Sequence, residues 1–207
     1  LLVVVQYTAS MILLCGTLIV FAQLNYMRRQ SLGVRTDRIL VVKFPGPTEG
    51  MKIKMEAMRK AIRKLPLVSK VTCSGSVPGE EVAMFLSNRR THDALKQNRL
   101  YEMLSCDPDY MDAYGLELVA GRGFSEDYGD DVNKLVINET AARTLGYTDY
   151  ESVIGEEISV ETIEEPMQVI GVVKDYHQQA LNRNYTPIML FHKDKIDWIP
   201  QRYISIV

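Results

Sequence analysis

The first 24 residues, Leu1 to Leu24, contain no Asp, Glu, Lys, Arg or His and are rich in Leu, Val and Ile. As a helix rising ~1.5 Å per residue, this run reaches about 36 Å, enough to cross a hydrocarbon core of roughly 30 Å. Its polar members, Gln6, Thr8, Ser10, Thr17 and Gln23, are uncharged, and Ser10 and Gly16 are small enough for close helix approach. The alternatives are a buried core helix and an uncleaved signal peptide. A signal peptide carries a basic leading segment and a shorter apolar stretch, and neither is visible here. The run is therefore read as a transmembrane helix. With Leu in place of an initiating Met, the sequence is expected to be an excerpt of a longer chain. Residues 25–32 hold no helix breaker, and Gly33 suits the left-handed position after a helix end. The helix is predicted to run to about Leu32, its last turns projecting beyond the bilayer as a stalk. A chain starting near Thr36 is expected to be soluble without detergent.

The remaining residues carry a divided charge. Residues 25–70 hold twelve Lys or Arg against three acids, a net of +9, whereas residues 71–207 hold twelve basic residues against 23 acids, a net of −11. The basic part adjoins the span, where it is either attracted to anionic headgroups or simply a solvated helix face. Apolar content of 46% against 24% charged residues supports a packed core and argues against disorder. Of three cysteines, Cys15 lies in the span. Cys73 and Cys106 can pair in an oxidising compartment only if the fold brings them together, which spacing does not decide.

Ile39–Phe44 reads as a strand closed by a Pro45-Gly46-Pro47 turn. Met51, Met55, Met58, Ile62 and Leu65 recur at helical steps and are assigned to a core-facing stripe, with Arg59 among the basic residues of the solvated remainder. Pro66 stops this helix and Val68–Val77 resembles a second strand, completing a βαβ unit over about 36–79. Residues 80–99 are polar and read as a loop or short hairpin; they include Arg89 and Arg90. A strand at Tyr101–Cys106 precedes a short helix from Pro108 to Tyr114, capped by Asp107 and ended by Gly115. After an apolar run at Leu116–Ala120 comes an acidic loop over 125–133. A strand at Leu135–Ile137 follows, then a helix Glu139–Leu145 capped by Asn138 and ended by Gly146. Ile158–Ile163 and Met167–Val173 form a hairpin, and Ile188–Phe191 and Tyr203–Val207 are further strands. The chain stops inside the last of these, so a partner element is expected beyond it. Strands and short helices with antiparallel connections define an α+β domain over 33–207, with a membrane-proximal part (36–79), a distal part (80–190) and a returning strand (200–207).

Chemistry-bearing motifs are few. The sequence has no Gly-x-x-x-x-Gly-Lys-Ser/Thr phosphate loop, nucleophile elbow, His-Glu-x-x-His or Cys-x-x-Cys. His92, His177 and His192 share no ligand spacing. Glu126, Asp127, Asp130 and Asp131 can supply oxygen ligands to Ca²⁺, but without the EF-hand spacing a solvated acidic loop is the preferred reading. Asp175 and His177 follow a strand and can form an acid–base pair; with no nucleophile or metal motif, a hydrogen-bonding turn is preferred. No catalytic, cofactor or metal site is assigned.

The ordered motifs resemble the MacB-like periplasmic core domain of MacB/FtsX-type ABC-transporter permeases. Asp107 to Tyr110, followed by Gly115 to Phe124 with its Gly121-Arg122-Gly123-Phe124, is similar to the family's "D-x-x-Y/F … G-R-x-F" stretch. Leu135 to Ala142, with Asn138-Glu139, then Leu145-Gly146, resembles "V-x-I-N-E-x-x-A … L-G". Ile154-Gly155 looks like the family's Gly turn, although Glu156 stands where Lys is frequent. Val169 to His177, with Gly171 and Asp175, resembles "V-x-G-V-V-x-D-F/Y", and Pro187 the proline before the next strand. The helix with Gln6, then Gln23 to Tyr26 and Leu32-Gly33, is similar to the helix that opens such domains in Bacteroidetes permeases. The motif residues Gly121, Arg122, Phe124, Asn138, Glu139, Gly146, Gly155, Gly171, Asp175 and Pro187 are expected to be structural. The resemblance implies a periplasmic domain anchored in the bacterial inner membrane beside the remaining permease helices. A separate ATPase subunit would bind the ATP, a second permease copy or a periplasmic adaptor is a possible partner, and nucleic acid is not. The implied work is mechanotransmission: ATP hydrolysis in the cytoplasm coupled to handling of a substrate in the periplasm. Arg28 and Arg29, at the end of the span, disagree through the positive-inside rule. The alternatives are a tethered ligand-sensing domain and an anchored hydrolase.

Overall fold

The computed structural model describes residues 1–45, 50–82, 84–92, 97–128, 130–179, 181, 183–196 and 201–207. The turn predicted at Pro45-Gly46-Pro47 and the middle of segment 80–99 fall partly outside them. Two compact units are present, Leu1–Leu32 and Gly33–Val207.

The first unit is a single helix, α1 (Leu2–Arg29), of 28 residues. Its Leu, Val and Ile side chains are exposed along its length, and Leu2–Met27 is long and apolar enough to cross a membrane. Two hydroxyls are satisfied within the helix: Thr8 Oγ1 donates to the Val4 carbonyl and Thr17 Oγ1 to that of Leu13, each at 2.8 Å. Such internal bonding makes a polar side chain tolerable in lipid. The helix ends at Arg29, with Gln30 already extended, which corrects the end expected near Leu32. Gly33 does take a left-handed φ of 74°, for a different reason. A Cβ there would sit 3.1 Å from the Asp175 carbonyl oxygen and from Tyr176 Cα, so the glycine serves close approach inside the second unit.

That unit contains β1 (Leu40–Lys43), α2 (Met51–Ile62), β2 (Val71–Ser74), β3 (Phe85–Arg90), β4 (Arg99–Cys106), α3 (Tyr110–Tyr114), β5 (Leu118–Gly121), β6 (Lys134–Asn138), α4 (Glu139–Thr144), β7 (Glu157–Val160), β8 (Met167–Val173), β9 (Ile188–His192) and β10 (Tyr203–Ile206). Six strands close on themselves: β4 pairs β3, then β7, β8, β6 and β9 follow, and β9 returns in parallel to β4. Closure removes the open edges that a flat sheet would expose. A second sheet, β1-β10-β2-β4, shares β4, which meets β2 at the Ser74–Cys106 pair. β5 adds to β8. The predicted βαβ unit is present in split form, because β10 lies between β1 and β2 and is antiparallel to both.

Strand periodicity sorts the core. In β6, Leu135 and Ile137 enter one cluster and Val136 another; in β9, Met189 and Phe191 separate in the same way from Ile188 and Leu190. The first cluster fills the ring with Leu86, Tyr101, Met103, Ile158 and Met167, closed by Ala141, Ala142 and Leu145 around α4. The second packs α3 and Tyr176 against the other face, and the third holds Met55, Val71, Cys73 and Ile204 under α2. Burial on both faces explains why these strands read as continuous apolar runs.

Three readings need correction. Arg59 is not on a solvated face: it is 4% exposed, whereas Met58 and Leu65 of the supposed stripe are exposed. Asp107 does not cap α3. Its carboxylate accepts from Thr72 Oγ1 and from the Cys73 N–H at 2.8 Å, and Asp109 occupies the cap position. Cys73 and Cys106 are buried free thiols. Cys106 lies opposite Ser74, so its side chain shares the face of Ser74, and neighbouring Cys73 points to the other. The two thiols belong to different clusters.

Candidate functional site

The motif residues gather around two backbone junctions. The first is the crossing of β5 and β8, where Gly121 pairs with Gly171. A Cβ on Gly121 would meet the Ile170 carbonyl oxygen at 2.2 Å, and one on Gly171 the Arg122 carbonyl oxygen at 2.1 Å. Both positions admit hydrogen only. The Arg122 N–H donates to the Ile170 carbonyl at 2.9 Å, and its guanidinium turns to the following loop. There it grips Asp131 with two bonds of 2.8 and 2.7 Å, donates to the Gly123 carbonyl and lies 4.1 Å from the Tyr128 ring centroid. Asp131 is 3% exposed and also accepts from the Ser125 N–H at 2.9 Å. Burial opposes its charge, but Arg122 and that N–H outweigh it and hold the carboxyl below its usual range. Asp131 therefore departs from the solvated loop expected at 125–133. Phe124, buried, meets His192 edge-on at 6.0 Å. Gly155 donates its N–H to the Val169 carbonyl at 2.8 Å with φ of 90°.

The second junction surrounds the start of α4. Asn138 Oδ1 accepts from Ala141 N and from Ile188 N, both at 2.9 Å, while its Nδ2 donates to the Thr186 carbonyl at 2.8 Å. One side chain thus caps a helix and fixes the start of β9. Pro187, in between, gives its carbonyl to Glu102 N at 2.9 Å. Asp175 accepts from Thr140 N and Oγ1 at 2.8 Å and pairs with Arg143. Glu139 returns the contact, accepting the Asp175 N–H at 2.9 Å. Gly146 ends α4 with φ of 96°. His177 does not meet the Asp175 carboxylate in this network; it stacks on Tyr185 with centroids 4.6 Å apart. The structure therefore gives Asp175 a positioning task.

A third assembly escaped the sequence reading. Buried Arg59 contacts Asp107 at 3.3 Å, Asp109 at 2.9 Å, Glu56 at 3.5 Å and Glu126 at 3.6 Å. It joins α2 to the chain after β4 and to the acidic loop. Burial pushes the Asp107 carboxyl up to about 6, against Thr72, the Cys73 N–H and Arg59, which favour its charged form. The available signal was register: Arg59 lies one helical step beyond Met55, on the same face. Among the described residues, no group of three or more His, Cys, Asp or Glu is disposed to hold a metal ion. Asp130 faces Lys134 at 3.2 Å.

An apolar helix long enough to cross a membrane precedes an α/β domain whose ordered motif residues lock one backbone segment to another, an arrangement that suits a membrane-anchored domain. The chain belongs to the MacB-like periplasmic core domain family, whose model matches residues 9–206. Among solved structures it is similar to the extracellular domain of the noncanonic ABC-type transporter YknZ from Gram-positive bacteria, with a TM-score of 0.55 at 17% identity over 82% of this chain and 83% of that one. The periplasmic region of MacB from Actinobacillus actinomycetemcomitans gives 0.52 at 18% identity, over 84% and 75%. A domain of a putative permease from Porphyromonas gingivalis gives 0.50 at 22%, over 72% and 64%. These likenesses share the fold. No curated protein matches the sequence. The family is that of a transporter permease domain and not an enzyme class.

Proposed function

We propose that this chain is the extracytoplasmic part of an inner-membrane permease subunit that transmits motion driven by ATP hydrolysis in a separate ATPase subunit to a substrate or partner outside the cytoplasm. The observation that carries the reading is the pairing of β1 with β10, in which Leu40 faces Ile206. A domain whose two ends adjoin can be held between two membrane helices, so that a displacement of either reaches the same sheet. Family membership supports the partners: the bilayer, further permease helices and an ATPase, with a second permease copy or an adaptor completing the assembly. ATP belongs to the ATPase, in keeping with the missing phosphate loop of this sequence. The test is to isolate the full-length protein from its native membranes and follow backbone hydrogen exchange with and without ATP and vanadate. An ABC ATPase is expected to co-purify, and exchange in residues 33–43 and 203–207 to change when nucleotide is trapped. Absence of the ATPase, together with unchanged exchange, would overturn the proposal.

A further inference from the structure

Residues 62–70 lead from α2 into β2 and divide their apolar side chains between two surroundings. Ile62 and Val68 pack on the cluster under α2. Leu65 and Leu67 do not follow them: they are 54% and 96% exposed. The backbone that presents them is fixed. Leu65 N donates to the Ile62 carbonyl at 3.0 Å, Val68 N to that of Leu65 at 3.1 Å, and Ser69 N to that of Val207 at 2.7 Å. A lone surface leucine needs no explanation. Two of them around exposed Pro66, at the tip of a hydrogen-bonded turn, form an apolar wedge.

Basic side chains surround that wedge. Lys60, Arg63 and Lys64 precede it, all exposed, and Lys70 follows it. Their acidic partners are few: Glu56 at 3.9 Å from Lys60, Asp109 at 3.6 Å from Arg63, and Asp112 beside Lys70. Asp109 is already engaged by buried Arg59 at 2.9 Å. Exposed pairs at such distances add little, so Lys60, Arg63 and Lys64 can exchange them for another anion at small cost. The wedge also flanks the place where the chain enters the domain. Within ~8 Å along its axis, α3 carries the Asp109 contact of Arg63, the Asp112 contact of Lys70 and the Tyr114 carbonyl that receives the Arg35 N–H. The folded unit starts at Gly33 and α1 ends at Arg29, a step that covers at most ~14 Å. Such a short tether turns a weak contact with the anchoring surface into an intramolecular one.

We propose that the Leu65-Pro66-Leu67 turn docks on an anionic lipid surface, its leucines entering the headgroup layer and Lys60, Arg63 and Lys64 meeting the lipid phosphates. Segments that seat on bilayers gain from buried apolar area and from attraction to anionic headgroups together, and this turn offers both. The inference rests on the anchoring of α1 in lipid and is independent of coupling to an ATPase.

The test uses the full chain with Cys15→Ala and Leu67→Cys, labelled at position 67 with the fluorophore NBD; Cys73 and Cys106 are buried and stay unlabelled in the fold. It is reconstituted into phosphatidylcholine vesicles with or without about one-third phosphatidylglycerol. Nitroxide lipid should quench the label in the anionic vesicles. A label placed instead through Glu165→Cys, exposed in the β7–β8 hairpin, should stay unquenched. Lys60→Gln/Arg63→Gln/Lys64→Gln should lower the ratio of docked to free domain about fivefold per charge removed. The melting temperature should hold, because all three side chains are exposed. An inserted chain without quenching at position 67, equal quenching in both vesicle types, or quenching unmoved by the three substitutions would each overturn the proposal. A blue-shifted label that nitroxide lipid does not reach would assign the turn to a protein surface and overturn it as well. A chain stripped from the vesicles by alkaline carbonate would overturn the anchoring and the proposal together.

Discussion

Arg122 and Asp131 show how one motif residue acquires its meaning from a partner in a segment read as solvent-facing. Asp131 satisfies both arms of the guanidinium and the Ser125 N–H at once. Asp131→Asn should cost about 2 kcal/mol, because charge-assisted bonds to a buried acceptor are lost while Arg122 stays in place. The folded-state pKa of Asp131 is depressed, so its contribution is present above the unfolded carboxylate range and disappears as pH falls through the folded value. Urea denaturation at a series of pH values should therefore show a shallower acid decline in Asp131→Asn than in the parent. Equal slopes would mean that the pair adds no pH-dependent stability. Gly171 makes a separate demand. A Cβ would lie 2.1 Å from the Arg122 carbonyl oxygen, so Gly171→Ala must push β5 from β8, at about 3 kcal/mol. Gly146→Ala meets only its positive φ, with open space around it, and should cost about 1 kcal/mol. A thermal melt of both variants checks the order.

Elements were legible where a local pattern suffices to define them. The α4 helix could be placed from Asn138 and Gly146 and the β7–β8 hairpin from its turn, whereas segment 80–99, read as a loop or a short hairpin, supplies β3, which pairs with β4 and β7. Closure of the ring was not legible, since β4–β9 and β6–β8 are parallel pairs between segments distant in sequence, and no periodicity announces a partner. Arg59 was misplaced for a related reason: a helical stripe was counted by apolarity, whereas what lies under α2 includes a buried ion network. The Asn138 role was half visible, as a cap; its bonds to Ile188 N and the Thr186 carbonyl depend on a distant strand. Both parts enter the expected cost. Losing the cap removes about 1 kcal/mol, and leaving Ile188 N without an acceptor adds about 1–3 kcal/mol, so Asn138→Ala should destabilise the domain by about 2–4 kcal/mol in chemical denaturation. A loss confined to the cap term would show that the link to β9 carries no energy.

For the whole molecule, the question is where the folded domain begins. A start near Thr36 follows from hydropathy alone, but the domain reaches further upstream. Gly33 lies against Asp175 and Tyr176, Val34 packs on the cluster around Tyr110 and Tyr176, and the Arg35 N–H donates to the Tyr114 carbonyl at 2.7 Å. Residues 33–35 thus touch the loop carrying Asp175, which in turn holds α4, while β1 a few residues on pairs with β10. Removing them leaves the Tyr114 carbonyl without its partner and uncovers apolar surface. A chain starting at Gly33 should be monodisperse without detergent, because the exposed apolar helix is gone, and should melt several degrees above one starting at Thr36. Equal melting temperatures would make residues 33–35 a passive linker. A difference would mean that residues 33–35 are part of the folded domain, held by the segment that carries Asp175 and by Tyr114.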